Sequence, residues 1–198
     1  MAKGEFSGEP NAVWLTEGGA PDRSMRLLET FWFRDPENKL WDAPAGAEVD
    51  GASIPRALWT VVGSPYTGDY RRASIVHDVA CRRAGGDAVK RREADRMYFH
   101  ACRAGGCSIW QAIVLYIGVR IGASVAEVPA WHASVAAEAA GPRIRRSDAE
   151  HRLERDFELI ADRVLAQGET EDVAELERRV RRALSEVAGI GEAAPPGR

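Results

Sequence analysis

Residues 109–122, IWQAIVLYIGVRIG, carry only two polar side chains, Gln111 and Arg120. The pattern predicts a helix from Ser108 to about Ala126 that is apolar nearly all round. Such a helix has no face to offer to water and is stable only when other elements wrap it. Gln111 and Arg120 keep the run short of the roughly 18 apolar residues that a membrane span needs. The expectation is therefore a buried core helix and no transmembrane segment. The 198 residues, 45% hydrophobic, suffice for such a core without disulfide staples. The three cysteines, Cys81, Cys102 and Cys107, are an odd number without regular spacing. They fit a reducing compartment.

The wrapping elements are legible on both sides. Two helices precede the core helix, Tyr70 to Ala84 and Ala88 to Ala104, each stopped by a Gly-Gly pair at Gly85-Gly86 and Gly105-Gly106. On the first, Tyr70, Ala73, His77, Ala80 and Ala84 share a face. Further upstream, residues 12–16 and 25–33 are short aromatic and branched runs bounded by turn formers, and read as strands. Residues 39–49 can add a strand across the turn Asp35-Pro36-Glu37-Asn38, with Pro44 marking an edge or a break. Residues 56–62 read as a short helical turn. The fold class expected is α+β, a small antiparallel sheet packed on three helices and followed by a C-terminal helical hairpin. Within it, residues 1–10 are expected as a disordered tail, 11–128 as the core domain, 129–147 as a linker, 148–188 as the hairpin and 189–198 as a second tail.

In the hairpin, Leu153, Phe157, Ile160 and Val164, then Val173, Leu176, Val180, Leu184 and Val187, form narrow apolar seams with charged flanks. Each seam is too short to stand alone. Its partner is the domain itself, a second copy, or another protein. The net charge of −3 excludes a global basic field, so nucleic acid is not an expected partner. The first ten residues, MAKGEFSGEP, lack the apolar stretch of a signal peptide, and the chain is expected to be cytoplasmic when synthesised.

The candidate chemistry centres on His77-Asp78. Adjacent side chains on a helix point about 100° apart, so the two residues face different partners. The Gly85-Gly86 turn folds the next helix back, which brings Asp95 within reach of a ring nitrogen of His77 as an orienting carboxylate. Asp50 and Ser53 lie on the junction just upstream. The plain alternative makes His77 a satisfied, partly buried histidine and Asp95 a surface carboxylate among Arg91, Arg92 and Arg96. A serine hydrolase would use Ser53 as nucleophile, His77 as base and Asp95 as third member, although GxSxG is absent. Zinc would use His77 and Cys81, four apart on one helix, with His100 and Cys102 nearby in sequence. A phosphohydrolase of the HD type needs a histidine upstream of the pair, and none precedes His77.

Four motifs occur in order: PAGAEVDGASIPRALW at 44–59, YRRASIVHD at 70–78, EADRMYFHACRAGG at 93–106 and IWQAIVLYIGVRIG at 109–122. This order resembles the family of phage and bacterial proteins known as domain of unknown function 1353, over residues 25–122. The resemblance implies that His77, Asp78, Asp95, Asp50 and Ser53 form one site. It implies no activity. A looser likeness links His77-Asp78 and Asp95 to secreted calcium-dependent phospholipases. There the histidine takes a proton from water, the adjacent aspartate holds calcium and the partner carboxylate orients the histidine. That likeness implies His77 as base, Asp95 as orienter, Asp78 as the Ca2+ ligand and a lipid or other ester as substrate; Asp50, on the nearby junction, is taken as a second metal ligand, and Ca2+ is placed ahead of Zn2+. The loop from Gly63 to Gly68 would supply carbonyl ligands. That class carries a tyrosine four residues after the histidine, where this chain has Cys81. The reading is a metal-assisted hydrolase with a histidine base. Its rival is a phage-related adaptor or assembly protein acting through residues 148–188.

Overall fold

The structure is a computed structural model that describes residues 3–15, 24–51, 54–63, 67–139 and 147–190. It is α+β, as expected. Six short strands, β1 (Glu5–Phe6), β2 (Ala12–Trp14), β3 (Met25–Leu27), β4 (Phe31–Arg34), β5 (Leu40–Ala43) and β6 (Glu48–Val49), precede seven helices. The helices are α1 (Trp59–Val62), α2 (Arg71–Ala84), α3 (Ala88–Gly105), α4 (Ile109–Ser124), α5 (Pro129–Ala139), α6 (Asp148–Leu165) and α7 (Val173–Ala188). Single 3-10 turns, Arg56–Leu58 and Val125–Glu127, lead into α1 and out of α4.

The strands form two antiparallel sheets instead of one, in the orders β1-β4-β5 and β2-β3-β6. The two apolar runs at 25–33 and 39–49 each supply a strand to both sheets. The second run breaks at Pro44, which cannot donate to a ladder. In β4 the side chains alternate, so Phe31 and Phe33 point into the core, with Phe33 opposite Trp41. The turn between β4 and β5 is held by Asp35, whose Oδ1 accepts the N–H groups of Glu37 at 3.0 Å and Lys39 at 2.9 Å. The expectation of a loose tail at residues 1–10 is corrected for Glu5–Phe6, which pairs with β4 and stacks Phe6 on Phe31 and Phe33.

The helices end where the local chemistry directs. Gly85 caps α2 in the left-handed conformation at φ 54°, and Asp87 starts α3 by accepting Val89 N–H at 2.9 Å and Lys90 N–H at 3.1 Å. Ser147 and Glu150 form a reciprocal capping box on α6. At the end of α3, Gly105 lies so close to the 67–69 loop that a Cβ there would stand 2.1 Å from the carbonyl oxygen of Asp69.

Helix α4 is the axis of the molecule, and ten of its sixteen residues are buried. It packs against α1, α3, α6 and α7. Ile109–Glu127 is long and apolar enough to cross a membrane by composition, yet here most of its apolar residues are buried against those neighbours, with Trp110 exposed. Arg120 is the exception whose partner is described below. Gly118 lets Ile54 approach, since a Cβ there would meet the Ile54 side chain at 3.3 Å.

The stretch expected as a linker is helical over Pro129–Ala139. Its anchor is Trp131, fully buried, with Nε1 donating to Asp156 Oδ2 of α6 at 2.8 Å. The hairpin's apolar seams close on the domain itself. Leu153, Phe157, Ile160, Val164, Leu176, Val180 and Leu184 belong to the same core as the residues of α4.

Candidate functional site

Helix α2 lies between the sheets on one side and α3 on the other. It is consequently buried on more than the single face its pattern suggested: Ile75, Val76, Asp78 and Val79 are buried beside Ala73 and His77. This placement decides where the two side chains of the His-Asp pair go.

His77 turns to α3. Its Nε2 lies 2.8 Å from Asp95 Oδ1, both side chains are fully buried, and the ring packs tilted by 40° against Tyr98 with centroids 4.7 Å apart. Asp95 is therefore not the surface carboxylate of the plain alternative. Its Oδ1 also receives Arg91 Nε at 3.3 Å, and its Oδ2 receives Arg120 Nη1 at 2.7 Å from α4. Burial would raise the Asp95 carboxyl, but the His77 hydrogen bond and the charges of His77, Arg91 and Arg120 hold it below the usual carboxylate range. Cys81, one turn beyond His77, sets its sulfur against the same ring, 3.3 Å from Nε2 and 3.7 Å from Nδ1. Burial opposes protonation of His77, yet Cys81 and Asp95 together outweigh it and push its pKa up to about 9.

Asp78 turns the other way, to the end of β6. Its Oδ2 accepts the Asp50 N–H at 2.8 Å and Arg82 Nη2 at 2.6 Å. Burial pushes its pKa up to about 6, against the lowering pull of Arg82 and the Asp50 N–H. The carboxylate thus clamps the junction that follows β6 onto α2. A bidentate pair between Arg83 and Asp42, at 2.9 Å and 3.0 Å, fastens the end of α2 to β5 in the same way.

Of the residues that the sequence groups into one site, His77 and Asp95 meet directly. Asp78 and the Asp50 backbone meet in a separate contact on another side of α2. Ser53 and residues 64–66 of the Gly63–Gly68 loop lie outside the described residues.

The calcium expectation rests on Asp78 and Asp50. A guanidinium 2.6 Å from Asp78 already supplies positive charge, and the same oxygen accepts a backbone N–H, so this donor set does not fit a hard cation. For zinc, the ligand atoms of His77, Cys81 and Asp95 lie within 4.8 Å of one another. Two arginines on Asp95 compete with a cation there. His100 and Cys102 do not join that group: Cys102 is hydrogen-bonded to Cys107, and His100 meets Phe99 edge-on.

The arginines are what sequence reasoning missed. Arg120 reads as a mere interruption of an apolar run and Arg91 as part of a solvated face. A lone arginine in an all-round apolar helix is itself a signal, because a buried guanidinium needs a buried acid.

The family resemblance carried by the four motifs is tested by direct comparison. Residues 25–119 match the family described as protein of unknown function (DUF1353). The matched segment runs from β3 into α4 and contains His77, Asp78, Cys81, Arg91 and Asp95; Arg120 follows its last residue, and the hairpin lies outside it. Two relatives come from Sinorhizobium fredii (strain NBRC 101917 / NGR234). The uncharacterized protein y4jT is 34% identical over 59% of this chain and 33% of its own length. The uncharacterized protein y4iH is 32% identical over 50% of this chain and 40% of its own length. The chain thus spans a third to two fifths of these relatives. No solved structure matches it.

Proposed function

We propose that the protein is a hydrolase of an ester or related acyl bond, with His77 as the base and Asp95 as the carboxylate that orients it. The observation that carries this reading is the 2.8 Å contact between His77 Nε2 and Asp95 Oδ1 across two antiparallel helices. A carboxylate on one ring nitrogen fixes the tautomer and leaves the other, Nδ1, to accept a proton. The phospholipase likeness shares only this histidine–carboxylate pair with the site, since Asp78, already bound by Arg82 and the Asp50 N–H, does not fit its cation. A lipid is the favoured ester on that likeness alone.

The test is hydrolysis of p-nitrophenyl esters of short and long acyl chain by the full protein, alone and with calcium, zinc or EDTA. Activity that His77→Gln abolishes, in a variant whose circular dichroism matches wild type, supports the reading. Absence of hydrolysis by wild type under every condition sinks it.

One observation favours the rival adaptor reading, namely that His77 has no exposed surface. In that reading the His77–Asp95 contact only braces α2 against α3, and a protein partner docks on the outer faces of α6 and α7. His77→Gln would then lower stability and leave partner capture intact in the folded fraction.

A further inference from the structure

A base with no exposed surface cannot take a proton from a water it does not touch. Among the described residues bonded to or in ring contact with His77, Asp95 and Tyr98 are fully buried, whereas Cys81 is half-buried and reaches the surface. Cys102 and Cys107 are buried and pair with each other elsewhere. Cys81 is therefore the group through which His77 can meet a substrate.

The surrounding charge suits a sulfur anion. His77 when protonated, Arg91 and Arg120 gather three positive charges around one carboxylate, Asp95. A thiolate at Cys81 brings that group nearer balance, and electropositive, partly exposed surroundings are where reactive cysteines sit. Arg91 Nη2 is sealed from solvent and has no hydrogen-bond partner among the described residues.

We propose that Cys81 is the nucleophile of this site, served by His77 and oriented through Asp95, so that acyl transfer passes through a thioester on the protein's own sulfur. This inference rests on the hydrolase reading and names what the buried base acts on. In the resting pair the Cys81 proton is already on His77, with Nε2–H donating to Asp95 and Nδ1–H facing the sulfur 3.7 Å away. The thiolate attacks the carbonyl carbon, the S–C bond forms, and the C–O bond breaks. The departing alkoxide takes the proton from the imidazolium. Water beside the sulfur then attacks the thioester carbonyl and yields its proton to the departing sulfur, which hands it on to His77. The C–S bond breaks, the acid leaves, and the thiolate–imidazolium pair is restored. The substrates are acyl esters or thioesters.

The experiment treats the full protein with p-nitrophenyl acetate, follows p-nitrophenolate release and locates acetyl groups by peptide mass spectrometry. One acetyl group is expected on Cys81, formed faster than on N-acetylcysteine at the same pH and blocked by prior iodoacetamide. Turnover should fall about 100-fold or more in Cys81→Ala. Asp95→Asn should slow acetylation of Cys81 itself, a readout that a merely structural carboxylate would not move. Turnover unchanged in Cys81→Ala but lost in His77→Gln overturns the nucleophile and leaves the hydrolase reading standing. Neither turnover nor acetylation of Cys81 by wild type overturns both. Acetylation at Cys81 no faster than at N-acetylcysteine overturns the nucleophile alone.

Discussion

The core around α2, α3 and α4 and the α6–α7 hairpin both bury carboxylates, and they compensate them differently. In the core, Asp95 is fully buried and receives His77, Arg91 and Arg120, whose side chains are only 0%, 22% and 17% exposed. In the hairpin, Glu177 receives Arg96 and Arg181, and Asp156 receives Arg152, all with arginine side chains 45% to 57% exposed. The hairpin ions are therefore solvated on their cationic side and screened by salt. Those in the core are shut in, with an excess of positive charge and a sulfur beside it. Buried acids in the hairpin fasten helices together, whereas the buried acid in the core also holds a titratable base.

The sharpest way to break that contrast is to remove the acids one at a time. Asp95→Ala should cost about 3–5 kcal/mol in urea denaturation, because it strands buried cations. Glu177→Ala should cost about 1 kcal/mol, since Arg96 and Arg181 can turn to water. Equal losses would end the distinction.

Next in size is a pH effect confined to the core. His77 is raised from 6.5 to about 9, so its proton contributes stability that is complete below 6.5 and is lost as pH rises through 9. Asp78 is raised from 3.8 to about 6, so stability also falls as pH climbs across that lower window. Thermal midpoints should drop in both windows. Asp78→Asn should flatten the lower window and His77→Gln the upper one. A curve that keeps its shape in both variants refutes the assignment.

Glycine substitutions compare the two regions through packing alone. Gly105→Ala forces a Cβ to 2.1 Å from a backbone oxygen and should cost about 1–3 kcal/mol or more. Gly168→Ala, at φ +82° with open space around it, should cost about 1 kcal/mol from backbone strain. The smallest effect is expected at Arg163→Ala. It breaks a hairpin surface pair with Glu186 and should change stability by less than about 0.5 kcal/mol.

Much of this architecture was written locally. Gly85-Gly86 and Asp87 set the turn that returns α3 along α2, and that turn made the His77–Asp95 contact foreseeable. The period of Leu153, Phe157 and Ile160 announced α6. Residues 129–139 were misjudged because an Ala-rich segment carries little amphipathic signal. What makes it a packed helix is Trp131 reaching Asp156, 25 residues away. The single sheet of the expectation became two, because strand pairing follows distant registers that short apolar runs do not encode.

By itself the sequence determined the helices, their caps and stops, the all-round apolar character of α4, and the adjacency that sends His77 and Asp78 in different directions. These depend on neighbours a few residues apart, where period and capping chemistry act. Only the tertiary structure decided which charges meet. Arg120 finds Asp95 across 25 positions and Arg96 finds Glu177 across 81. It also decided that His77 is sealed while Cys81 reaches the surface. Burial belongs to everything that packs around a residue, and no local pattern carries that information.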